Sequence, residues 1–212
     1  MIDHPLEEKF NASAWDILSA IERGFRAQVD VKGKLAEYFL FQQLERLKQS
    51  GVLETVDWQD KDGQPDFLLG VRGRVLRVEC KNVRSVVEPA QPRRRRSRAI
   101  FVDLDAPPGS PLDLGAAPQR PYVEEYRVEL QKTRNSKDGT PTRGYRATEF
   151  ELLAACLFNR TGRWEYLFIA NGHLARRQDN PEFLVIMQPV PMRAEGPWRS
   201  DIVDAIHDVR GR

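Results

Sequence analysis

Apolar residues recur along the chain with two different periods, and the change of period predicts where helices give way to strands. Residues 31–49 carry apolar side chains three or four positions apart, the spacing of one helix face, and Gly51 suits a C-terminal cap. Residues 74–83 alternate apolar and charged side chains, as a half-buried strand does. Short apolar runs at 52–58 and 65–71 predict two further strands. The pattern therefore predicts one helix followed by three strands.

The same patterns extend this order towards both ends of the chain. Ser13 is a capping residue ahead of a helix in which Trp15, Leu18 and Ile21 follow at helical spacing. The later elements predicted in chain order are a strand at 122–132, a helix from Thr148 to about Asn159, strands at 164–170 and 183–187, and a short helix at 201–209. Helices that alternate with strands predict an α/β protein with a mixed sheet.

Length and composition indicate one globular domain. The chain has 212 residues, of which 41% are hydrophobic and 30% charged, and no apolar run approaches the ~20 residues of a membrane helix. The first residues are too polar for a secretory signal. Cys80 and Cys156 both lie in apolar patterns, which favours buried thiols over a disulfide. We therefore expect a cytoplasmic protein without a membrane partner.

The domain is predicted to have a core with additions. Residues 1–30 form a helical extension, 31–171 the core and 172–212 a C-terminal elaboration. Within the core, residues 84–121 are rich in Pro, Arg, Gly and Ala, which predicts a loop insertion.

The turn at Arg72 and Gly73 brings together two groups of polar residues on neighbouring strands. Pro65-Asp66 begins the first strand, and Glu79-Cys80-Lys81 lies in the second, with Arg77, Glu79 and Lys81 on one face. Two neighbouring carboxylates can hold Mg²⁺ through oxygen ligands. A lysine beside them can orient a water or stabilise a charged transition state. The hairpin thus contains the residue types of a metal-dependent phosphodiesterase, although alternating charges are also common on a solvated strand face.

In these residues the chain resembles the PD-(D/E)XK nuclease superfamily, whose signature is Pro-Asp, a spacer, an acidic residue, any residue and Lys. The resemblance covers about residues 31–171 and implies a restriction-endonuclease-like αβββαβ core, a mixed β-sheet flanked by helices. It implies that Asp66 and Glu79 are Mg²⁺ ligands, with Mn²⁺ able to substitute, and that Lys81 is catalytic. Glu37, on the preceding helix, would be an accessory metal ligand.

The function implied by this resemblance is Mg²⁺-dependent cleavage of duplex DNA in restriction or genome defence, by a homodimer whose two sites meet two strands. A repair or junction-resolving nuclease would have nearly the same core. A protein of another class, which binds nucleic acid on a nuclease fold without cutting, is the third possibility. The intact set of Asp66, Glu79 and Lys81 favours an enzyme.

The distribution of charge adds candidate DNA contacts, although the net charge is only +2. Basic residues are concentrated beyond the hairpin, where they can neutralise phosphates without reading sequence or can form a solvated loop. The predicted contacts are Arg93, Arg94, Arg95, Arg96, Arg98, Lys132 and Arg134. Glu129 and Gln131 form a second-tier polar pair that lacks both a preceding Pro-Asp and a lysine on the glutamate's face.

Other chemistries lack their sequence signatures. The chain contains neither the phosphate-binding GxxxxGK[ST] motif nor the dinucleotide-binding GxGxxG motif. Its three histidines, His4, His173 and His207, do not have the spacing of a zinc site.

Overall fold

The computed structural model describes residues 4–61, 63–84, 126–132 and 144–210. Its helices are α1 (Pro5–Phe10), α2 (Ala14–Arg23), α3 (Phe25–Gln49), α4 (Phe158–Thr161) and α5 (Ile202–Arg210). Its strands are β1 (Thr55–Trp58), β2 (Phe67–Val71), β3 (Arg74–Asn82), β4 (Tyr126–Glu129), β5 (Leu152–Cys156), β6 (Tyr166–Ala170) and β7 (Met187–Val190). Apart from Arg84, the loop insertion predicted at 84–121 lies outside the described residues.

Three helices precede the first strand. α2 begins as predicted, because Ser13 Oγ accepts a hydrogen bond from the Asp16 N–H at 3.1 Å while the Asp16 carboxylate accepts one from the Ser13 N–H at 3.3 Å. α3 is longer than the helix predicted at 31–49 and begins at Phe25, directly after the extended residue Gly24. Neither α1 nor α2 contains a buried residue. The core therefore begins with the middle of α3.

The predicted hairpin is present. β2 and β3 pair antiparallel with Phe67 opposite Val78 and Val71 opposite Arg74. Arg72 and Gly73 have φ angles of 49° and 71°, and two positive values are what the favoured two-residue hairpin turn requires. The register is therefore fixed by the turn and by the alternation of side chains that follows it.

The central sheet has five strands in the order β1-β2-β3-β5-β6. β3 and β5 are parallel, with Glu79 opposite Leu153 and Lys81 opposite Ala155, while the other neighbours are antiparallel. A parallel pair requires a long crossover connection, and here the connection includes β4. The mixed sheet and the preceding helices confirm the α/β class.

The prediction of a helix from Thr148 to about Asn159 is wrong. Residues 152–156 form β5, a strand whose five residues are all buried, and the following helix α4 has only four residues. A central parallel strand is covered on both faces and reads as a continuous apolar run, which periodicity cannot distinguish from a buried helix. The strand predicted at 183–187 is also displaced, because Phe183 and Leu184 make isolated bridges and β7 begins at Met187.

The two faces of the central sheet are covered differently. α3 and α5 pack on the face that carries Val78 and Cys80. The opposite face carries Leu153 and Ala155 and is covered by the two-stranded sheet of β4 and β7 together with residues 144–150. Among the described residues, helices therefore cover one face rather than both. The second face is the one to which Glu79 belongs.

A membrane-crossing helix requires about 20 mostly apolar residues. No helix in the described ranges has both the length and the apolar character for this.

Candidate functional site

The hairpin brings Asp66, Glu79 and Lys81 together. Asp66 lies one position before Phe67 in β2, next to Glu79 in β3. Its Oδ2 accepts a hydrogen bond from the Cys80 N–H at 2.7 Å, which holds the carboxylate against β3. Lys81 Nζ lies 3.8 Å from Asp66 Oδ2 and forms an ion pair with Glu79 Oε1. Two carboxylates from adjacent strands thus share one ammonium group.

Glu79 is buried, with only 2% of its surface exposed. The sequence places it on a charged strand face, but β4 and residues 144–150 cover that face and exclude water from it. An ionised carboxylate in such a place is costly unless it is paired. Lys81 supplies the opposite charge, and its side chain remains 26% exposed. The cluster is therefore buried at Glu79 and reaches solvent at Lys81.

Tyr145 is a member of the cluster that sequence reasoning missed. Its hydroxyl donates a hydrogen bond to Glu79 Oε1. Its ring centroid lies 5.8 Å from Lys81 Nζ and 5.3 Å from Lys132 Nζ, and its ring packs edge-on against Phe150. Tyr145 follows Glu79 by 66 residues. No local sequence signal links the two, because the fold alone brings them together.

Burial raises the pKa of Tyr145 by more than the positive charge of Lys81 lowers it, and the charge of Glu79 raises it further. The hydroxyl therefore keeps its proton and acts as a donor to the carboxylate. This fixes one oxygen of Glu79 in place.

We expect Tyr145→Phe to lower the free energy of unfolding by about 1.5–3 kcal/mol, the usual contribution of a hydrogen bond to a charged group. The loss should be much smaller in a Glu79→Gln background, because the charged acceptor is then absent. Chemical denaturation of the wild type, both single variants and the double variant measures this coupling. Tyr166→Phe is the matched control, since its buried hydroxyl donates to the Ala36 carbonyl oxygen at 2.6 Å instead. Additive effects of Tyr145→Phe and Glu79→Gln would contradict the assignment.

The cluster raises the pKa of both Asp66 and Lys81, which favours the neutral form of the carboxyl and the charged form of the amine. Burial raises the pKa of Asp66 from 3.8 to about 7, and the charges of Glu79 and Glu37 act in the same direction. Lys81 and the Cys80 N–H lower it, but less than these effects raise it. For Lys81, burial favours the neutral amine, yet Glu79 and Asp66 outweigh burial and raise its pKa. Lys81 is therefore held as a cation, which suits stabilisation of negative charge and not proton abstraction.

Glu37 lies beside the cluster on α3. It accepts hydrogen bonds from Trp58 Nε1 at 2.9 Å and from Lys34 Nζ at 2.8 Å, and Lys34 also contacts Asp60 at 2.8 Å. Its hydrogen bonds thus fix it to β1 and to its own helix. Its charge contributes to the raised pKa of Asp66.

The carboxylates of the cluster are ligands of the type that Mg²⁺ prefers. Within the described ranges no group of three or more His, Cys, Asp or Glu side chains is arranged to hold a metal ion. Asp66 and Glu79 form a carboxylate pair, and Mg²⁺ is usually bound through one or two carboxylates with waters and phosphate oxygens completing its shell. When ionised, Asp66 and Glu79 together carry two negative charges beside the single positive charge of Lys81. The pair thus supplies the type of ligand that a small divalent cation takes, with Glu37 as a neighbouring charge.

The remaining predicted site residues, which are the DNA contacts and the second-tier polar pair, lie either apart from Asp66 and Glu79 or outside the described residues. Lys132 forms an ion pair with Glu149 at 2.6 Å, next to Tyr145. Glu129 is exposed on β4, and Gln131 forms a bridge with Gly144. The predicted DNA contacts that lie outside the described residues are Arg93, Arg94, Arg95, Arg96, Arg98 and Arg134.

Cys80 and Cys156 are buried free thiols, as predicted.

Comparison of the chain with protein-family models, with curated proteins and with solved structures finds no match.

Proposed function

We propose that the chain is a Mg²⁺-dependent endonuclease that hydrolyses phosphodiester bonds in DNA. The observation that carries the proposal is the convergence of Asp66 and Glu79, from two neighbouring strands, on the ammonium group of Lys81. Aspartate, glutamate and lysine also follow the order of the PD-(D/E)XK signature. The described core begins with α3 and the β1-β2-β3 meander and continues with β5 parallel to β3. The described part of the connection between β3 and β5 contains the strand β4 and not the helix of an αβββαβ order.

The proposed roles follow from the charges and positions of the residues. Asp66 and Glu79 would hold Mg²⁺, with Glu37 as an accessory group. When bound, the ion would neutralise charge at phosphorus and lower the pKa of a coordinated water. Lys81 would place its positive charge beside the reacting phosphate, and Tyr145 would keep Glu79 in one orientation. Hydrolysis would proceed by in-line attack of water on phosphorus.

The burial of the cluster favours an enzyme over a binding protein that has ceased to cut. Glu79 is almost completely buried, and burial raises the pKa of the neighbouring Asp66 to about 7. Perturbed groups of this kind are concentrated at functional sites. A surface that only binds phosphate would be expected to present cations, whereas this cluster contains two carboxylates beside one lysine.

A role in restriction or genome defence is proposed for this nuclease, with duplex DNA as the substrate and a homodimer as the working form. The arginine-rich stretch from 93 to 98 would supply contacts to the phosphate backbone. A repair or junction-resolving nuclease would use the same cluster on branched DNA.

The test is incubation of the purified chain with methylated and unmethylated plasmid, and with a four-way DNA junction, in Mg²⁺ or in chelator. Discrete plasmid fragments that require Mg²⁺ and are lost in Asp66→Ala are the expected result. Asp179→Ala is the matched control, because Asp179 is an exposed carboxylate that pairs with Arg177 and with no residue of the cluster. Cleavage of the junction alone would assign a repair role. Failure to cut either DNA in Mg²⁺ or Mn²⁺ would overturn the proposed activity.

A further inference from the structure

The N-terminal arm, defined as residues 5–30, exposes an unusual amount of apolar surface. Trp15 is 77% exposed and Phe25 80%, and Phe10, Leu18 and Val29 are each more than half exposed. Single exposed apolar residues are ordinary on soluble proteins. Here five large ones occur within twenty positions, and no residue of α1 or α2 is buried.

Four of the five exposed residues are arranged in pairs on helix faces. Trp15 and Leu18 are three positions apart in α2, and Phe25 and Val29 are four apart in α3, so the members of each pair are neighbours on a helix surface. Ile17 and Ile21, also in α2, are only partly covered. Helices as short as α2 are marginal in water, and most helices in proteins are stabilised by packing an apolar face. The arm therefore lacks the packing that would normally stabilise it.

Charge restricts what can cover the arm. Between residues 5 and 30 the acidic side chains are Glu7, Glu8, Asp16, Glu22 and Asp30, and the basic ones are Lys9, Arg23 and Arg26. An acidic excess is repelled by phosphates, so neither nucleic acid nor an anionic membrane is a suitable partner. Interspersed charges of both signs can pair across a twofold axis with an identical surface. We propose that the N-terminal arm is the surface through which two copies of this chain associate.

The exposed apolar area of the arm agrees with what a dimer interface of standard size requires. An aromatic side chain covers roughly 150–250 Å² in contacts, so the exposed parts of Phe10, Trp15 and Phe25 offer on the order of 300–500 Å² per copy. A standard interface buries about 800 Å² per partner, of which about 56–65% is apolar. The three aromatic side chains would thus supply most of the apolar part of such an interface.

This association does not depend on the proposed nuclease activity, because it is argued from the apolar surface and charge of the arm. A dimer that fails to cut DNA would leave the association intact. A monomer that cuts DNA would overturn the association, and with it the homodimer as the working form, but not the nuclease activity.

Sedimentation equilibrium of the full chain, from about 1 to 100 μM so as to bracket a micromolar dissociation constant, measures the association. The expected mass is twice the 24.4 kDa of one chain. The double variant Trp15→Glu/Phe25→Glu should sediment as a monomer with unchanged circular dichroism, since both side chains are exposed in the isolated chain. Met192→Glu is the matched control, because Met192 is an exposed apolar residue outside the arm, and this variant should remain a dimer.

Trp15 also reports on its own environment, because Trp198 is buried and Trp58 and Trp164 are partly buried. Dilution of the wild type should shift tryptophan emission to the red and increase quenching by acrylamide, and Met192→Glu should behave in the same way. A wild type that remains at 24.4 kDa throughout overturns the proposal. If Trp15 is nevertheless shielded in that monomer, another segment of the same chain covers the arm. A double variant that still dimerises also overturns it, by locating the interface elsewhere.

Discussion

Lys81→Met is expected to lower the rate of DNA cleavage by about 10²–10³-fold, the typical loss when one group that stabilises transition-state charge is removed. Methionine keeps most of the volume of the lysine stem and deletes only the cation that Asp66 and Glu79 share. Affinity for DNA, measured in chelator so that nothing is cut, should change much less than the rate of cleavage. The comparison of cleavage and binding thus separates a catalytic role from a binding role.

Lys48→Met is the matched control for this substitution. Lys48 also pairs with a carboxylate, Glu45 at 3.3 Å, but it lies in the last turn of α3 and this ion pair includes no residue of the cluster, so cleavage should be unchanged. Because Lys81→Met leaves Glu79 buried without its counter-ion, the variant should also be less stable, and rates should be compared well below its melting temperature. Full cleavage by a folded Lys81→Met variant would remove Lys81 from the mechanism. Attention would then turn to Lys132, the second lysine beside Tyr145.

Asp66→Asn is expected to stabilise the metal-free protein, and to do so increasingly as the pH rises. The pKa of Asp66 is about 7 in the folded protein against an ordinary 3.8, so the folded state binds this proton more tightly than the unfolded state does. Stability is therefore lost as the pH rises from about 4 to about 7. At about 1.4 kcal/mol per pKa unit the full loss is up to about 4 kcal/mol, of which about 2–3 kcal/mol falls between pH 5 and pH 8. Asparagine carries no charge and can still accept the hydrogen bond from the Cys80 N–H.

Urea unfolding of wild type and Asp66→Asn in chelator at pH 5 and pH 8 measures this effect. Asp60→Asn is the control, because the hydrogen bond and charge of Lys34 lower the pKa of the exposed Asp60 carboxyl, and this variant cannot produce the same trend. Mg²⁺ added at pH 8 should stabilise the wild type more than Asp66→Asn, since a bound cation relieves the repulsion between carboxylates. Equal effects of Mg²⁺ on both proteins would contradict the proposed metal site independently of any cleavage assay.

The carboxylate hairpin could be predicted from the sequence because its information is local. Alternation in β3 assigns Glu79 and Lys81 to one face, and Arg72-Gly73 sets the register that places Asp66 beside them. Each of these signals lies within twenty residues. Short-range sequence patterns are therefore sufficient to predict that these three residues are neighbours in the fold.

The surroundings of the hairpin could not be predicted in the same way. The near-complete burial of Glu79 depends on β4, on β7 and on Tyr145, all distant in the chain, and a charged strand face looks solvated until its cover is known. β5 was misassigned for a related reason, since its burial on both faces removes the alternation that identifies a strand. Helices on both faces of the sheet were expected from the resemblance, whereas the described cover of the second face is a small sheet.

The parallel pairing of β3 with β5 also bears on the order in which the protein folds. The β2-β3 hairpin closes across two residues, whereas Arg77 and Glu151, which join β3 to the start of β5, are separated by 74 residues. Closure of a long loop costs more entropy than closure of a short one, and contacts of high sequence separation slow folding. On a growing chain Asp66 and Glu79 are synthesised before Tyr145 and before the strands that bury them. The cluster can therefore acquire its low-dielectric surroundings, and with them its altered acidity, only once these later strands have packed over the hairpin.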